Sequence, residues 1–312
     1  MHKRRVNELK LDLTIQPAGP ILIKSGDDGG LDPTLPSMSF VRTLHPQDKR
    51  QTIYLPGASL KGVIRSHSER ILHTVFGEDP TICCDPLARN GNCFDRLRKQ
   101  SIKDAAEQYK QMCLACRTFG HMANASHFLS ADAYPSEAIN ELPVRQNVAI
   151  DRLSGGVAVG PFDMEVALEG QFKTTLSLFN FELWQVGLLA LTLRDLAEGR
   201  VRLGFAKSRG LGEVHVTFNC LEIGYPGQFG AAKYDFGRQM VGVGALAPDL
   251  RSAYGYVEAE DVLEYPQPAG LDEAGRLWGR PSVTFESENI MPVFAQAVQS
   301  WAAYTTGRKE AT

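Results

Sequence analysis

What most constrains the fold of this 312-residue chain is the order in which its periodic segments follow one another. Leu9, Leu11, Leu13 and Ile15 alternate with Lys10, Asp12 and Thr14, the period of a strand with one buried face. From Ser59 to about Phe76, Leu60, Val63, Ile64, Ile71, Leu72 and Val75 recur at helical spacing. A short strand is expected over Phe128 to Ala133, and Phe172, Thr174, Leu176 and Leu178 give another alternating one. Glu182 to Glu198 reads as a helix apolar on nearly every face, which predicts burial, and Val214, Val216 and Phe218 form a last strand. The order is β-α-β-β-α-β with insertions, the ferredoxin-like or split βαβ pattern of an α+β domain. With 43% hydrophobic and 22% charged residues the chain can bury a full core. One elaborated domain is expected over residues 1–224. An extension over residues 225–312, rich in Gly, Pro and Tyr with one amphipathic stretch from Pro292 to Tyr304, carries no functional reading.

Two glycine-bearing segments carry the chemistry. Leu55-Pro56-Gly57-Ala58-Ser59-Leu60-Lys61-Gly62-Val63-Ile64-Arg65 leads into the first helix, and Gly204-Phe205-Ala206-Lys207-Ser208-Arg209-Gly210-Leu211-Gly212 precedes the last strand. Each combines glycines, a hydroxyl and a pair of cations, a mixture suited to phosphate oxygens. Ser59 is placed to cap the helix, and Lys61 and Arg65, four apart, then share an exposed face near its start. The net charge of −3 gives no global attraction to nucleic acid, so any such binding must use a local patch. Asp27, Asp28 and Asp32 sit in a glycine-rich loop after the first strand. Carboxylates there can hold Mg²⁺ or another divalent ion, or position a ribose hydroxyl, or simply make turns. His45, His67 and His73 offer acid–base chemistry or, equally, structural contacts. Between about residues 145 and 168, Leu153 to Gly160 forms the tip of a long glycine-rich hairpin with few charges, a surface that calls for a cover.

Five of the six cysteines fall between Cys83 and Cys116, in a segment of about residues 78–120 that reads as an insertion with a polar helical middle from Asp95 to Lys110. Cys113 and Cys116 make a C-x₂-C knuckle, and Cys93 with Cys84, or with Cys83 as its alternative, completes a four-thiolate set for structural Zn²⁺. Such a metal would staple an insertion too small to hold a core. The basic start Lys3-Arg4-Arg5 is followed by no apolar run, and no stretch of about twenty apolar residues occurs, which predicts a soluble, cytoplasmic protein with no membrane partner.

The sequence resembles the RAMP superfamily and, within it, the Cas-seven group of backbone subunits of type III CRISPR effector complexes. The likeness covers about residues 9–222 and rests on Leu55 to Gly62, on Asn147-Val148-Ala149-Ile150-Asp151-Arg152, and on Lys207 to Gly212. The cysteine cluster looks like the zinc-bearing insertion of the type III-D and related branch. The resemblance implies an RRM-like palm that holds guide RNA (crRNA), a hairpin thumb that wedges between guide and complementary target RNA, and sibling subunits in an antiviral ribonucleoprotein. It implies guide-phosphate contacts at Ser59, Lys61, Arg65, Arg152, Lys207, Ser208 and Arg209, with N–H groups of Gly57, Gly62 and Gly210 in support. It also implies an endoribonuclease aspartate, best matched by Asp32, with Asp28 and Asp27 as competitors. The alternatives are a non-catalytic structural subunit and a RAMP-type guide-processing endoribonuclease that uses histidine without metal.

Overall fold

The alternating leucines of the first segment form a central strand because both of its neighbours in the sheet are equally apolar on the same face. In the computed structural model, which describes residues 3–26, 38–88, 91–228, 233–257 and 261–310, β1 (Glu8–Pro17) buries Leu9, Leu11, Leu13 and Ile15. The hairpin β2 (Arg42–Leu44) and β3 (Gln51–Ile53) leads to helix α1 (Gly57–Phe76), then to three short helices, α2 (Cys93–Lys99), α3 (Ala105–Gln111) and α4 (Leu114–Phe119). Next come β4 (Phe128–Ser130), β5 (Tyr134–Pro135), the hairpin β6 (Val144–Ile150) and β7 (Val157–Glu165), β8 (Phe172–Phe179), α5 (Leu183–Ala197) and β9 (Val214–Gly224). The remainder holds β10 (Gln239–Val241), α6 (Val243–Leu246), α7 (Pro248–Tyr254), β11 (Val262–Glu264), α8 (Glu273–Leu277), β12 (Ser282–Glu286) and α9 (Ser287–Glu310). No helix among the described residues is long and apolar enough to cross a membrane.

The main sheet is antiparallel in the order β12-β9-β1-β8-β4, with β5 also on β8. Leu11 stands opposite Leu176 on one side and Leu221 on the other, so three strands contribute to one apolar layer. Two expected elements are broken. The strand predicted over Phe128 to Ala133 stops at Ser130 as β4, with β5 beginning only beyond that range, and the polar helix over Asp95 to Lys110 becomes α2 and α3. The second break has a local cause: Ser101 takes a positive φ of 55°, and the Asp104 carboxylate then caps α3 by accepting from the N–H of Ala106 and Glu107.

The helix α5 is largely buried, as its composition predicts, because the C-terminal residues cover the face that the sheet leaves free. Gly187 allows α9 to cross so closely that a Cβ there would lie 2.3 Å from the carbonyl oxygen of Ala297. Trp184 stacks on Tyr304 with ring centroids 5.1 Å apart. Residues 225–312 also extend the sheet through β12, and Val283, Phe285 and Phe294 join its core. Asn7 ties the start of β1 to this segment, since its side-chain amide donates to the carbonyls of Phe181 (3.0 Å) and Val241 (2.9 Å). The cysteine segment is not held by its sulfurs alone. Tyr109, Met112 and Leu114 share a second apolar cluster with Leu72 of α1, Leu188 of α5, and Leu250, Tyr254 and Trp301 of the C-terminal segment.

Two expected outcomes follow from this packing. Gly187→Ala should push α9 off α5 and destabilise the chain by about 1–3 kcal/mol, an overpacking cost readable in a denaturant melt. Asp261, which accepts the N–H of Leu183 (3.3 Å), is buried beside Glu182, and burial together with that carboxylate pushes its carboxyl up to about 8. The folded chain therefore keeps a proton that the unfolded chain releases near 3.8, so the stability Asp261 contributes should be full below about 3.8 and be lost as pH rises through about 8. Asp261→Asn keeps the acceptor and should flatten that slope; identical pH profiles for the two chains would contradict it.

Candidate functional site

The first glycine segment starts its helix earlier than the sequence suggests. α1 begins at Gly57, with Pro56 at the cap position and no side-chain cap, so Ser59 stands in the first turn and is not the N-cap. The carboxylate of Asp132 takes the role instead, accepting the Gly57 N–H at 2.7 Å. Gly57 is needed for packing: a Cβ there would meet the Ser130 carbonyl oxygen at 2.2 Å. Its N–H is thus already used and does not serve as a phosphate donor. Gly62 lies within α1, and a Cβ built on it meets nothing within 4 Å.

The second glycine segment is fastened to the chain just after β1. Phe205 N–H donates to the Leu22 carbonyl (2.7 Å) and Gly212 N–H to that of Pro20 (2.9 Å). At Gly204 and Gly212, both at positive φ, a Cβ would sit 2.2 Å from the carbonyl oxygens of Leu22 and Leu203 respectively. Between these anchors Lys207–Arg209 makes one turn of 3₁₀-helix, leaving Lys207, Ser208, Arg209 and Gly210 exposed.

The two segments meet. Ser59, Gly62 and Ser66 of α1 face Gly204, Phe205 and Lys207 across a cavity of about 370 Å³ that Ile23 and Lys24 also border. A second cavity of about 320 Å³ shares Val63, Ser66 and Lys207 with the first and continues to Arg70, Arg200 and Arg202. Among the described residues none that lines either cavity is acidic. Burial and the neighbouring Arg70 charge pull the Lys207 ammonium below its usual range. Two cations are therefore held together in a partly desolvated trough, an arrangement that an anion relieves. Arg202 is oriented by donating to the Lys207 carbonyl (2.8 Å), and Arg200 pairs with Glu198 (2.8 Å). Ser66 and Arg70 lie seven and eleven residues after Ser59, so their place on the trough face was legible from helical spacing. Nothing in the sequence around Arg200 and Arg202 marked them.

Other predicted contacts lie elsewhere. Arg65 is not on an exposed face; its guanidinium donates to Glu69 (2.8 Å), to the Gly120 carbonyl (3.0 Å) and to Cys116 Sγ (3.7 Å). Lys61 is half-buried and lines neither cavity. Arg152 is exposed at the tip of the β6–β7 hairpin, next to Leu153 at 98% exposure, and Val148, Ile150, Val157 and Val159 are exposed along it. The turn is fixed by Asp151, whose carboxylate accepts from the N–H of Leu153 and Ser154 (3.0 and 2.7 Å).

Asp27, Asp28 and Asp32 lie outside the described residues. The chain on either side of them is pinned together beside the trough: Ser25 N–H donates to the Ser39 carbonyl (3.0 Å) and Val41 N–H to that of Ile23 (3.0 Å). Arg42 and the buried Glu165 lock the returning strand to β7 through two contacts of 2.8 Å. The histidines have partners. His45 Nε2 contacts the Pro135 carbonyl (3.0 Å), His67 Nε2 the Asp195 carboxylate (2.8 Å), and His73 Nδ1 the Gly77 carbonyl (3.1 Å).

The sulfurs of Cys84, Cys93, Cys113 and Cys116, all buried, lie within 4.8 Å of one another, close enough to hold a metal ion. Cys83 is outside this group, and burial raises its thiol. Tetrahedral thiolate zinc has bonds of about 2.3 Å and hence sulfurs about 3.8 Å apart, and the Cys84 and Cys116 sulfurs are 3.7 Å apart. The donors around the sulfurs also suit thiolates: Cys113 N–H points at Cys93 Sγ (3.3 Å) and Cys116 N–H at Cys113 Sγ (3.4 Å).

The family model described as the RAMP superfamily matches residues 14–215, a span that contains both glycine segments, the hairpin and the four clustered cysteines. No curated protein matches the chain. Among solved structures, a chain of a type IV-B CRISPR complex is similar at 18% identity, over 72% of this chain and 95% of that chain, with a TM-score of 0.44.

The cysteine geometry separates two neighbours in sequence. Cys84→Ser should abolish stoichiometric metal binding and lower the melting temperature, whereas Cys83→Ser should keep the metal, as elemental analysis of the purified variants would record. Equal metal content in both would refute the four-sulfur grouping.

Proposed function

The chain belongs to the RAMP superfamily, and we propose that it is a guide-RNA-binding backbone subunit of a type III, III-D-like CRISPR effector complex. The observation that carries this reading is the meeting of the two glycine segments across one trough lined by Lys24, Lys207, Arg70, Arg200 and Arg202. Guide phosphates would lie along it, met by cations and by the open surfaces at Gly62 and Gly210. Contacts to phosphate fix register without reading sequence, which leaves the bases to pair with a complementary target RNA.

The antiparallel order β9-β1-β8-β4, with α1 and α5 as crossovers, supports reading the sheet as an RRM-like palm. The hairpin supports reading as a thumb because its tip, Leu153 to Gly160, offers apolar bulk and no acid or base. The four sulfurs support a structural zinc. Sibling subunits would then cover the apolar hairpin, in a soluble cytoplasmic ribonucleoprotein that acts against foreign nucleic acid.

Target cleavage is the catalytic part of the proposal. A target 2′-oxygen would attack the adjacent phosphorus, breaking the bond to the 5′-oxygen; the hydroxyl proton leaves and the 5′-oxygen gains one. Asp32 would position the hydroxyl or accept its proton, with Asp28 and Asp27 as competitors for that role, and carboxylates of this loop would hold a divalent ion such as Mg²⁺. A histidine-based processing enzyme would rest on His67, which borders the second cavity with Nε2 on the Asp195 carboxylate, since His45 and His73 are engaged by carbonyls.

Two experiments test this. Lys207→Ala, Arg70→Ala and Arg202→Ala should each weaken RNA binding almost equally for all sequences and reduce the salt slope by about 0.7 per lost contact, whereas Arg65→Ala should leave the slope unchanged. Loss for only some sequences would refute the backbone contacts. In a guide-loaded complex with complementary RNA and Mg²⁺, Asp32→Ala should stop cutting while binding stays nearly unchanged, as expected for a group that acts only in the transition state. If Asp28→Ala or Asp27→Ala stops cutting instead, the catalytic residue is misplaced; if the wild type never cuts, the subunit is structural.

A further inference from the structure

We propose that Arg96 and Arg65 belong to the metal centre, as outer donors that hydrogen-bond and orient the Cys93 and Cys116 sulfurs. This rests on reading the four-cysteine cluster as a zinc site. Four thiolates around a divalent ion leave two surplus negative charges, here among sulfurs that are all buried. Surplus charge in such a place is costly unless it is paired and hydrogen-bonded.

Both arginines are built into that place. Arg96, on α2, aims Nη2 at Cys93 Sγ (3.4 Å) while the same nitrogen donates to the Gln111 carbonyl (2.8 Å). Arg65, on α1, aims Nη2 at Cys116 Sγ (3.7 Å) while Nη1 donates to the Gly120 carbonyl (3.0 Å). Each guanidinium is thus fixed by the protein and points an N–H at one sulfur, and at Arg65 the planar fork spans both partners, which a lysine ammonium cannot do. The two differ in charge. Arg65 shares its charge with Glu69 (2.8 Å), whereas the Arg96 acceptors beside sulfur are the neutral carbonyls of Gln111 and Pro80 (2.8 and 3.5 Å). Arg96 therefore supplies more of the compensating charge and Arg65 mainly an oriented donor. Because Arg65 sits on the helix that lines the trough, the metal centre also anchors α1 to the insertion.

The test uses the full chain loaded with zinc and competed with a chromogenic chelator. R96M should lose zinc affinity by about 10- to 100-fold, the usual effect of removing an outer-shell partner, and R65M by less. R98M, whose guanidinium lies over the Phe94 ring (5.6 Å) and near Asp95 (3.3 Å), should bind zinc as the wild type does. In the cobalt-loaded proteins the sulfur-to-cobalt charge-transfer band should shift in R96M and R65M and stay put in R98M. Should R96M fail to fold, R65M and R65K carry the test, since both should release zinc more readily than the wild type. Wild-type retention and an unshifted band in both would overturn the proposal, while a wild-type chain that takes up no metal would overturn the zinc reading beneath it.

Discussion

The trough exists because three glycines let backbone lie against backbone where a side chain would overlap a carbonyl oxygen. At Gly57, Gly204 and Gly212 the overlap distance is the same, 2.2 Å, against Ser130, Leu22 and Leu203. The first contact sets α1 against β4. Gly204 seats the second glycine segment on the chain leaving β1 and Gly212 closes that segment on Leu203, which brings Lys207 opposite Ser66. An added methyl at any of the three meets a carbonyl fixed by a strand or a paired segment, so the strain cannot be relieved by a side-chain rotation. Gly62 and Gly210 are the converse case, with open space where a Cβ would be.

Much of the fold was legible because its signals are local. The alternation in β1 and β8 and the helical spacing in α1 and α5 follow from which residues share a face, and the structure keeps all four. What was not legible depends on partners distant in sequence. The all-round apolarity of α5 announced burial but could not name α9 as its cover. Ser59 looked like a helix cap because capping residues are judged by type, yet the cap is supplied by Asp132, far along the chain. Arg65 looked like a phosphate ligand from its four-residue spacing to Lys61, but the insertion folds back over α1 and captures it. The glycines read as part of a phosphate cradle; what approaches three of them is the protein's own backbone.

Charge is arranged to act locally. A chain with a net charge of −3 gathers Arg70, Arg202 and Lys207 at one trough, with no acid among its described lining residues. Carboxylates nearby are spent on orientation, as Asp195 on His67 and Glu198 on Arg200. Holding like charges together in a partly buried groove lowers the stability of the free chain, a local conflict of the kind expected at a binding site.

The central claim, that single-stranded RNA lies along α1 between the two glycine segments, is tested most directly by crosslinking bound RNA to the full chain and mapping the modified peptides by mass spectrometry. Adducts are expected on the peptides that contain Lys24, Ser59 to Arg70, and Leu203 to Ser208. Crosslinks confined to the hairpin or to residues 225–312, with those three peptides unmodified, would contradict it.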